Sequence, residues 1–189
     1  MDPRGTARKR GEPPEVTMNT DVRVPADPEA AVTTAMGEAR PHDAVFMAEA
    51  LAQARLAAEA GEVPVGAVVV LDGTIVGRGF NRAIGSSDPT AHAEIVAIRQ
   101  AAARSGNYRL EGADLVVTLE PCLMCFGAAV HARIRRVIFG AHDPRVGAAA
   151  LIEKLQSSPG ILNHRVAISP GLGADESAAL LRGFFAERR

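Results

Sequence analysis

Two short segments carry side chains able to do metal chemistry together: Thr90-Ala91-His92-Ala93-Glu94 and Glu120-Pro121-Cys122-Leu123-Met124-Cys125. One imidazole and two thiolates make three ligands of the kinds that zinc prefers. Structural zinc usually closes with four protein ligands, whereas a set of three leaves a corner for water, which the metal acidifies toward neutral pH. His92, Cys122 and Cys125 are therefore the expected ligands of one Zn2+ ion, and their number points to catalysis. A Cys-x-x-Cys spacing at a helix start lets both sulfurs face one point, and the partial positive charge of the helix N-terminus favours their thiolate forms. Two thiolates and a neutral imidazole balance the charge of a divalent ion. Glu94, two residues past the histidine, is not needed as a ligand and is placed to ferry the proton of a bound water.

Each half of this pattern has other uses. A Cys-x-x-Cys pair also serves thioredoxin-like redox chemistry, but that reading leaves His92 and Glu94 unexplained and finds no tryptophan in the chain. A non-catalytic metal module that completes a fourth ligand across a subunit interface is the other alternative. Only the joint occurrence of the two halves, each where a strand or loop runs into a helix, singles out a catalytic metal site.

The elements that must position these residues follow from periodicity. Phe46, Met47, Ala50, Leu51, Ala54 and Ala58 recur at helical spacing from Asp43, and Gly61 follows as a C-terminal cap. Residues 63–71 and 74–80 are β-branched runs around Asp72-Gly73, which suits a two-residue hairpin turn. Residues 91–105 read as a helix, 114–118 as a strand, 122–133 as a helix, 136–140 as a strand and 176–188 as a terminal amphipathic helix. Strands alternating with helices favour a layered α/β domain with some parallel pairing.

Composition bounds the rest. A chain of 189 residues, 47% hydrophobic and 23% charged, has the make-up of a soluble globular protein with one core. Residues 1–40 hold Pro3, Pro13, Pro14, Pro25 and Pro28 with no sustained apolar periodicity, so a disordered extension is expected there and a single domain over 41–189; Met18 or Met36 could equally be the true start. Two cysteines do not make a disulfide framework, and no apolar run reaches the length of a membrane span or a signal peptide, so a cytoplasmic protein without membrane contact is expected. A net charge of −1 gives no general attraction for nucleic acid. Any such partner needs a local patch, for which Arg133, Arg135, Arg136, Arg145 and Lys154 are candidates and solvated surface is the bland alternative.

The flanks of the metal motif carry a resemblance. Val63-Pro64-Val65-Gly66-Ala67, Gly79-Phe80-Asn81-Arg82, Asp88-Pro89-Thr90-Ala91-His92-Ala93-Glu94, Asn107-Tyr108-Arg109-Leu110, Thr118-Leu119-Glu120-Pro121-Cys122 and His131-Ala132-Arg133-Ile134 resemble the bacterial tRNA adenosine deaminases over about residues 41–189. The chain departs from that pattern at Ala150-Leu151, where the family usually has Gly-Ser. The resemblance implies a cytidine-deaminase-like three-layer α/β/α sandwich around a mixed five-stranded sheet, a homodimer, and the anticodon loop of an arginine tRNA as substrate. It further implies deamination of the wobble adenosine to inosine, with hydroxide from the zinc attacking C6 while Glu94 moves the proton to N1. Asn81 would hydrogen-bond the flipped nucleotide, Val65 and Ala93 would line the base pocket, and His131, Ala141 and Asp143 would meet flanking nucleotides. A deaminase of free guanine or of cytosine and its nucleoside would share the motif and stands as the other enzymatic reading.

Overall fold

The computed structural model describes residues 40–188. The disorder expected of residues 1–40 lies outside them, apart from Arg40, whose backbone N–H donates to Asp43 Oδ2 at 2.7 Å.

An inner strand of the sheet is β1 (Gly66–Leu71), whose Val68, Val69 and Val70 are buried on both faces of the strand. A β-branched run covered on both sides belongs in the middle of a sheet. It is joined to β2 (Thr74–Phe80) by Asp72 at φ 48° and Gly73 at φ 70°, the two left-handed residues of a hairpin turn whose twist matches the strands. Strands β3 (Asp114–Leu119), β4 (Arg136–Ala141) and β5 (Ala167–Pro170) complete the order β2-β1-β3-β4-β5. β1 is antiparallel to β2 and β3, whereas β3, β4 and β5 are parallel. The sheet is therefore mixed and five-stranded.

Parallel neighbours need crossovers, and helices supply them. α4 (Leu123–His131) connects β3 to β4, and α5 (Ala149–Ser157) connects β4 to β5. Together with α3 (Ala93–Ser105) they cover one face, where Ala97, Ala101, Phe126, Ala129 and Ile152 pack with Ala67, Val69, Leu115, Val117 and Phe139. α1 (Asp43–Glu59) and α6 (Ala174–Ala186) cover the other, where Phe46, Met47, Ala50 and Leu51 pack with Val68, Val70, Val116 and Ile138. These are the three layers of the expected sandwich. A single helical turn, α2 (Ala83–Ser86), interrupts the passage from β2 to α3. No helix among the described residues is long and apolar enough to cross a membrane.

One glycine sets the height at which α3 lies on the sheet. A Cβ at Gly79 would stand 2.3 Å from the Ala93 carbonyl oxygen and 2.5 Å from Ala97 N, so only glycine lets the first turns of α3 rest on β2. That turn carries His92 and Glu94.

At the end of the sheet where β3 and β4 begin, Arg136 is buried, with its guanidinium donating to Asp43 at 2.9 and 2.8 Å and to Asp114 Oδ2 at 2.8 Å. Its expected place in a basic surface patch is thereby corrected: two carboxylates take up its charge inside the fold. Arg135 closes on the same Asp114 from outside at 3.0 and 2.9 Å.

Candidate metal centre and its surroundings

His92 and Cys122 occupy equivalent places in the fold, each the extended residue before a helix. His92 precedes α3 with φ −70° and ψ 153°, and Cys122 precedes α4 with φ −74° and ψ 171°. The positive ends of both helices therefore converge on one point, where anionic ligands are favoured. Cys125 enters from the first turn of α4. The start of α3 is tied down by Asn81, whose Oδ1 accepts from Ala93 N at 2.9 Å while its Nδ2 donates to the Val63 carbonyl at 3.1 Å. Its backbone N–H donates to the Val65 carbonyl at 3.1 Å.

Three ligand atoms meet there. The two sulfurs are 3.7 Å apart, and His92 Nδ1 lies 3.7 Å from Cys122 Sγ and 3.6 Å from Cys125 Sγ. A tetrahedral zinc site with bonds of about 2.3 Å to sulfur and about 2.0–2.1 Å to nitrogen has ligand separations of about 3.8 Å between sulfurs and about 3.6 Å from sulfur to nitrogen. The observed triangle fits zinc on all three sides. These residues also form a His/Cys/Cys group in which each offers one ligand atom to a common point.

Charge at the site is divided unevenly. Hydrogen bonds from Cys125 and His92 pull the Cys122 thiol down to about 4. Its neighbour moves the other way, because the contact with Cys122, together with burial, pushes the Cys125 thiol up. His92 is raised, chiefly by its hydrogen bond with Cys122. Three groups that compete for protons in this way are resolved together by a divalent ion, which binds both sulfurs as thiolates and the imidazole as the neutral ring.

Glu94 is buried at 4% exposure beside this triangle. Burial raises its carboxyl above the ordinary range, outweighing the opposite pulls of its own backbone N–H and of His92. It is an acid that holds a proton well and sits close to the ligand atoms without belonging to them.

The other expected contacts are spread more widely. Val65 and Ala93 are buried in the core under the cluster. Ala141 ends β4, and Asp143 sits in the following loop with Oδ1 accepting from Arg145 N at 2.8 Å and Val146 N at 3.3 Å. That carboxylate shapes its own turn. His131 is exposed and is the last residue of α4, so the structure puts the length of the helix, about 12 Å at 1.5 Å per residue, between it and the cluster. Phe184 is buried and Phe185 exposed, their rings edge to face at 5.4 Å, so the terminal helix uses one for packing and presents the other.

A residue that motif reasoning passed over is Glu120. It is buried, accepts from Ala149 N at 2.9 Å and Asp143 N at 3.2 Å, and lies 3.0 Å from His142 Nδ1. Cys122 is bridged to Gly147 of the same loop. Glu120 thus fixes the loop of residues 142–149 against the turn that carries the cysteine ligands. The available signal was an acid directly after the apolar strand and before Pro121-Cys122, where a buried carboxylate needs donors.

Comparison with known proteins agrees with this geometry. Residues 40–141 match the family described as the cytidine and deoxycytidylate deaminase zinc-binding region. The tRNA-specific adenosine deaminase of Agrobacterium fabrum is 50% identical over 144 residues, which are 76% of this chain and 94% of that protein. A solved structure from a study of A-to-I editing by tRNA:A34 deaminases at the wobble position of transfer RNA superposes with a TM-score of 0.68 at 49% identity, covering 72% of this chain and 99% of the other. A guanine deaminase from Nitrosomonas europaea superposes at 0.62 with 26% identity, over 79% of this chain and 87% of its own.

Proposed function

This chain belongs to the cytidine and deoxycytidylate deaminase zinc-binding family, and on that premise we propose that it deaminates adenosine to inosine at the wobble position of a tRNA, an arginine tRNA among its substrates. The observation that carries the deamination is the triangle of His92 Nδ1, Cys122 Sγ and Cys125 Sγ, 3.6 to 3.7 Å on each side, with the buried Glu94 next to it, and the 50% identity with a tRNA-specific adenosine deaminase supports tRNA as the substrate.

His92, Cys122 and Cys125 would hold one zinc ion, which when bound supplies a Lewis acid and lowers the pKa of a coordinated water toward 7. Glu94 does the proton work. It takes the proton that the attacking water loses, passes it to N1 of adenine as the C6–O bond forms, and then carries the remaining proton of the C6 hydroxyl to the amino group as the C6–N bond breaks, so that water and adenosine become inosine and ammonia. Its burial suits this role, since desolvation raises the proton affinity of the carboxyl.

Asn81 links the loop before β1 to the start of α3, and its remaining amide hydrogen and lone pair are available to the flipped nucleotide. Val65 and Ala93 form the floor below the base, while Ala141 and Asp143 flank its neighbours. His131, a helix length away, would meet a nucleotide further along the loop. A homodimer is supported by the exposed Leu123, Met124 and Val146 clustered about the Cys122 to Gly147 bridge, apolar surface that a second copy would cover. A tRNA substrate supports a cytoplasmic location.

The test is incubation of the zinc-loaded protein with synthetic anticodon stem-loops, reading inosine as an altered base in reverse transcription. Conversion confined to the wobble adenosine is expected. Untouched RNA from protein with full zinc content overturns the reading. Release of ammonia from free guanine would favour the second reading, which the Nitrosomonas neighbour motivates.

A further inference from the structure

At the far end of α4 from the metal ligands lies a cavity of about 340 Å³ lined by Glu111, Gly112, Arg133, Arg135, His164 and Arg165. Its walls come from three separate places in the chain: the turn before β3, the link from α4 to β4, and the loop before β5. Three arginines line it. With Arg40 and Arg136 behind them, five arginines here meet the carboxylates of Asp43, Glu111 and Asp114. The balance is positive in a molecule whose net charge is −1.

Arg133 is the informative residue. It follows α4 with φ 62°, its N–H donates to Val130 O at 3.2 Å, and the next N–H, of Ile134, donates to Ala129 O at 3.0 Å. That is the left-handed helix stop at which glycine sits without strain. An arginine there is held against the backbone preference, so its side chain must contribute what glycine cannot. It donates through NH1 to Asn163 O at 2.7 Å, and to Asn163 Oδ1 at 3.2 Å, and lines the cavity. Arg135 spends Nε and NH2 on Asp114. Arg165 is exposed and has no carboxylate partner among the described residues. A planar fork with spare donors suits the tetrahedral oxygens of phosphate, which arginine binds bidentately.

The geometry points to a phosphodiester-binding subsite: Arg133, Arg135 and Arg165 hold a backbone phosphate of the RNA substrate remote from the base being deaminated, and His164, whose Nε2 lies 2.7 Å from the Ile134 carbonyl oxygen, forms part of the wall. This rests on the tRNA reading and deepens it. The metal ligand Cys122 precedes α4 and Arg133 follows it, so cavity and cluster are about 15 Å apart along the helix. A phosphate in the cavity is therefore not that of the reacting adenosine, and is assigned to the stem of the anticodon arm.

The experiment compares the full-length zinc protein with the double variant Arg133→Gly, Arg165→Ala. Glycine relieves the backbone at position 133, so the variant folds, and equal melting temperatures check this. Two hairpins are used, one with the full anticodon stem and one with the stem trimmed to the pairs next to the loop. The expected result is a rise in KM of roughly tenfold for the full arm with kcat unchanged, little change for the trimmed hairpin, and a shallower dependence of log KM on log salt by about one to two. Arg55→Ala, an exposed arginine on α1 paired with Glu176, should leave all three values as they are. Equal losses on both hairpins, or none on either, overturn the subsite. Protection by inorganic phosphate of Arg165 from guanidine modification, with RNA affinity indifferent to the variant, would show a free-anion site and overturn it as well. Should the wild type convert no adenosine, direct binding of the two hairpins by anisotropy still decides the subsite, while the deaminase reading fails separately.

Discussion

Where β3 and β4 begin, Asp43, Asp114 and Arg136 lie buried and answer one another with three charged hydrogen bonds, each at 2.8 to 2.9 Å. Where β3 and β4 end, Glu94 lies buried as deeply at 4% exposure, but the charged groups acting on it are a histidine and a thiolate that are themselves candidate metal ligands. Both ends spend free energy to desolvate charge. At the first end the protein supplies the counter-charge and the result is a fixed joint between α1 and the sheet. At the second it leaves the acid short of fixed partners, which keeps its proton transferable. The contrast separates groups that hold the fold from groups that do the chemistry, and substitutions at each end should separate stability from turnover.

The largest effect belongs to the ligands. Cys125→Ala removes one sulfur of three, and zinc content measured by atomic emission should fall by most of its value, with turnover falling below detection; metal retained in full would sink the ligand assignment. The two cysteines should also differ when zinc is stripped by a chelator. Cys122, drawn down to about 4, should be alkylated by iodoacetamide with a midpoint in that acid range, whereas the buried and raised Cys125 stays inert at neutral pH. Lowering a thiol pKa on folding means that its share of stability is complete above the ordinary thiol range and disappears as pH falls through about 4. Cys125, displaced upward, works in the opposite sense, and its share is complete below the ordinary thiol range and is lost as pH rises above it.

Next is Glu94→Gln. Turnover on an anticodon stem-loop should drop by about 10³-fold, within the range that a positioned acid or base supplies, while zinc content is unchanged. The melting temperature should not fall. Burial raises this acid in the folded chain, so its ionisation opposes folding as pH climbs through the raised value, and the neutral amide avoids that penalty. A loss of zinc in this variant would instead make Glu94 a ligand and dissolve the distinction between the two ends.

Arg136→Met probes the opposite end. It takes the buried guanidinium away from Asp43, while Asp114 keeps Arg135, and uncompensated buried charge of this kind costs about 3–5 kcal/mol. For a chain of this size that is roughly 6–20 °C in melting temperature. At a temperature well below the transition, kcat per folded molecule should equal that of the wild type, because no atom of this joint reaches the metal cluster. A fall in kcat without a fall in stability would show that the ends are coupled.

What could be read without coordinates follows the same division. The hairpin, α1, α3, β3, α4, β4 and α6 are legible because each has its own apolar period and a turn or cap at its boundary, such as Asp72-Gly73 or Gly106 after α3. β5 is not, since four residues ending in Pro170 carry no period, and α5 hides behind a run of small residues at 147–150. The fifth strand was expected from resemblance alone. The metal ligands are legible because the two helix starts impose short local spacings. Glu120 and the guanidinium cluster are not, because their meaning lies in partners distant along the chain: Ala149 is 29 residues from Glu120, and Arg165 joins Arg133 only through the fold. Arg136 shows the reverse error, a cation assigned to the surface whose carboxylate partners lie 93 and 22 residues away.

Glu120 stands between the two cases and gives the smallest effect. It is buried near the chemistry, yet its charge is met by the backbone N–H groups of Ala149 and Asp143 and by His142 at 3.0 Å. In Glu120→Gln the shape is preserved and the oxygen facing Ala149 still accepts, but the amide nitrogen cannot accept from Asp143 or from a protonated His142. A hydrogen bond to a charged group is worth about 1.5–3 kcal/mol and a neutral one about 0.5–1.5, so the net loss should be about 1–2 kcal/mol in denaturant unfolding. Because the loop of residues 142–149 leans on this carboxylate and bridges to Cys122 through Gly147, KM for RNA should rise severalfold while kcat holds within about twofold. If kcat collapses as it does for Glu94→Gln, the carboxylate of Glu120 belongs to the proton chemistry, and the boundary between holding and reacting groups moves one shell outward.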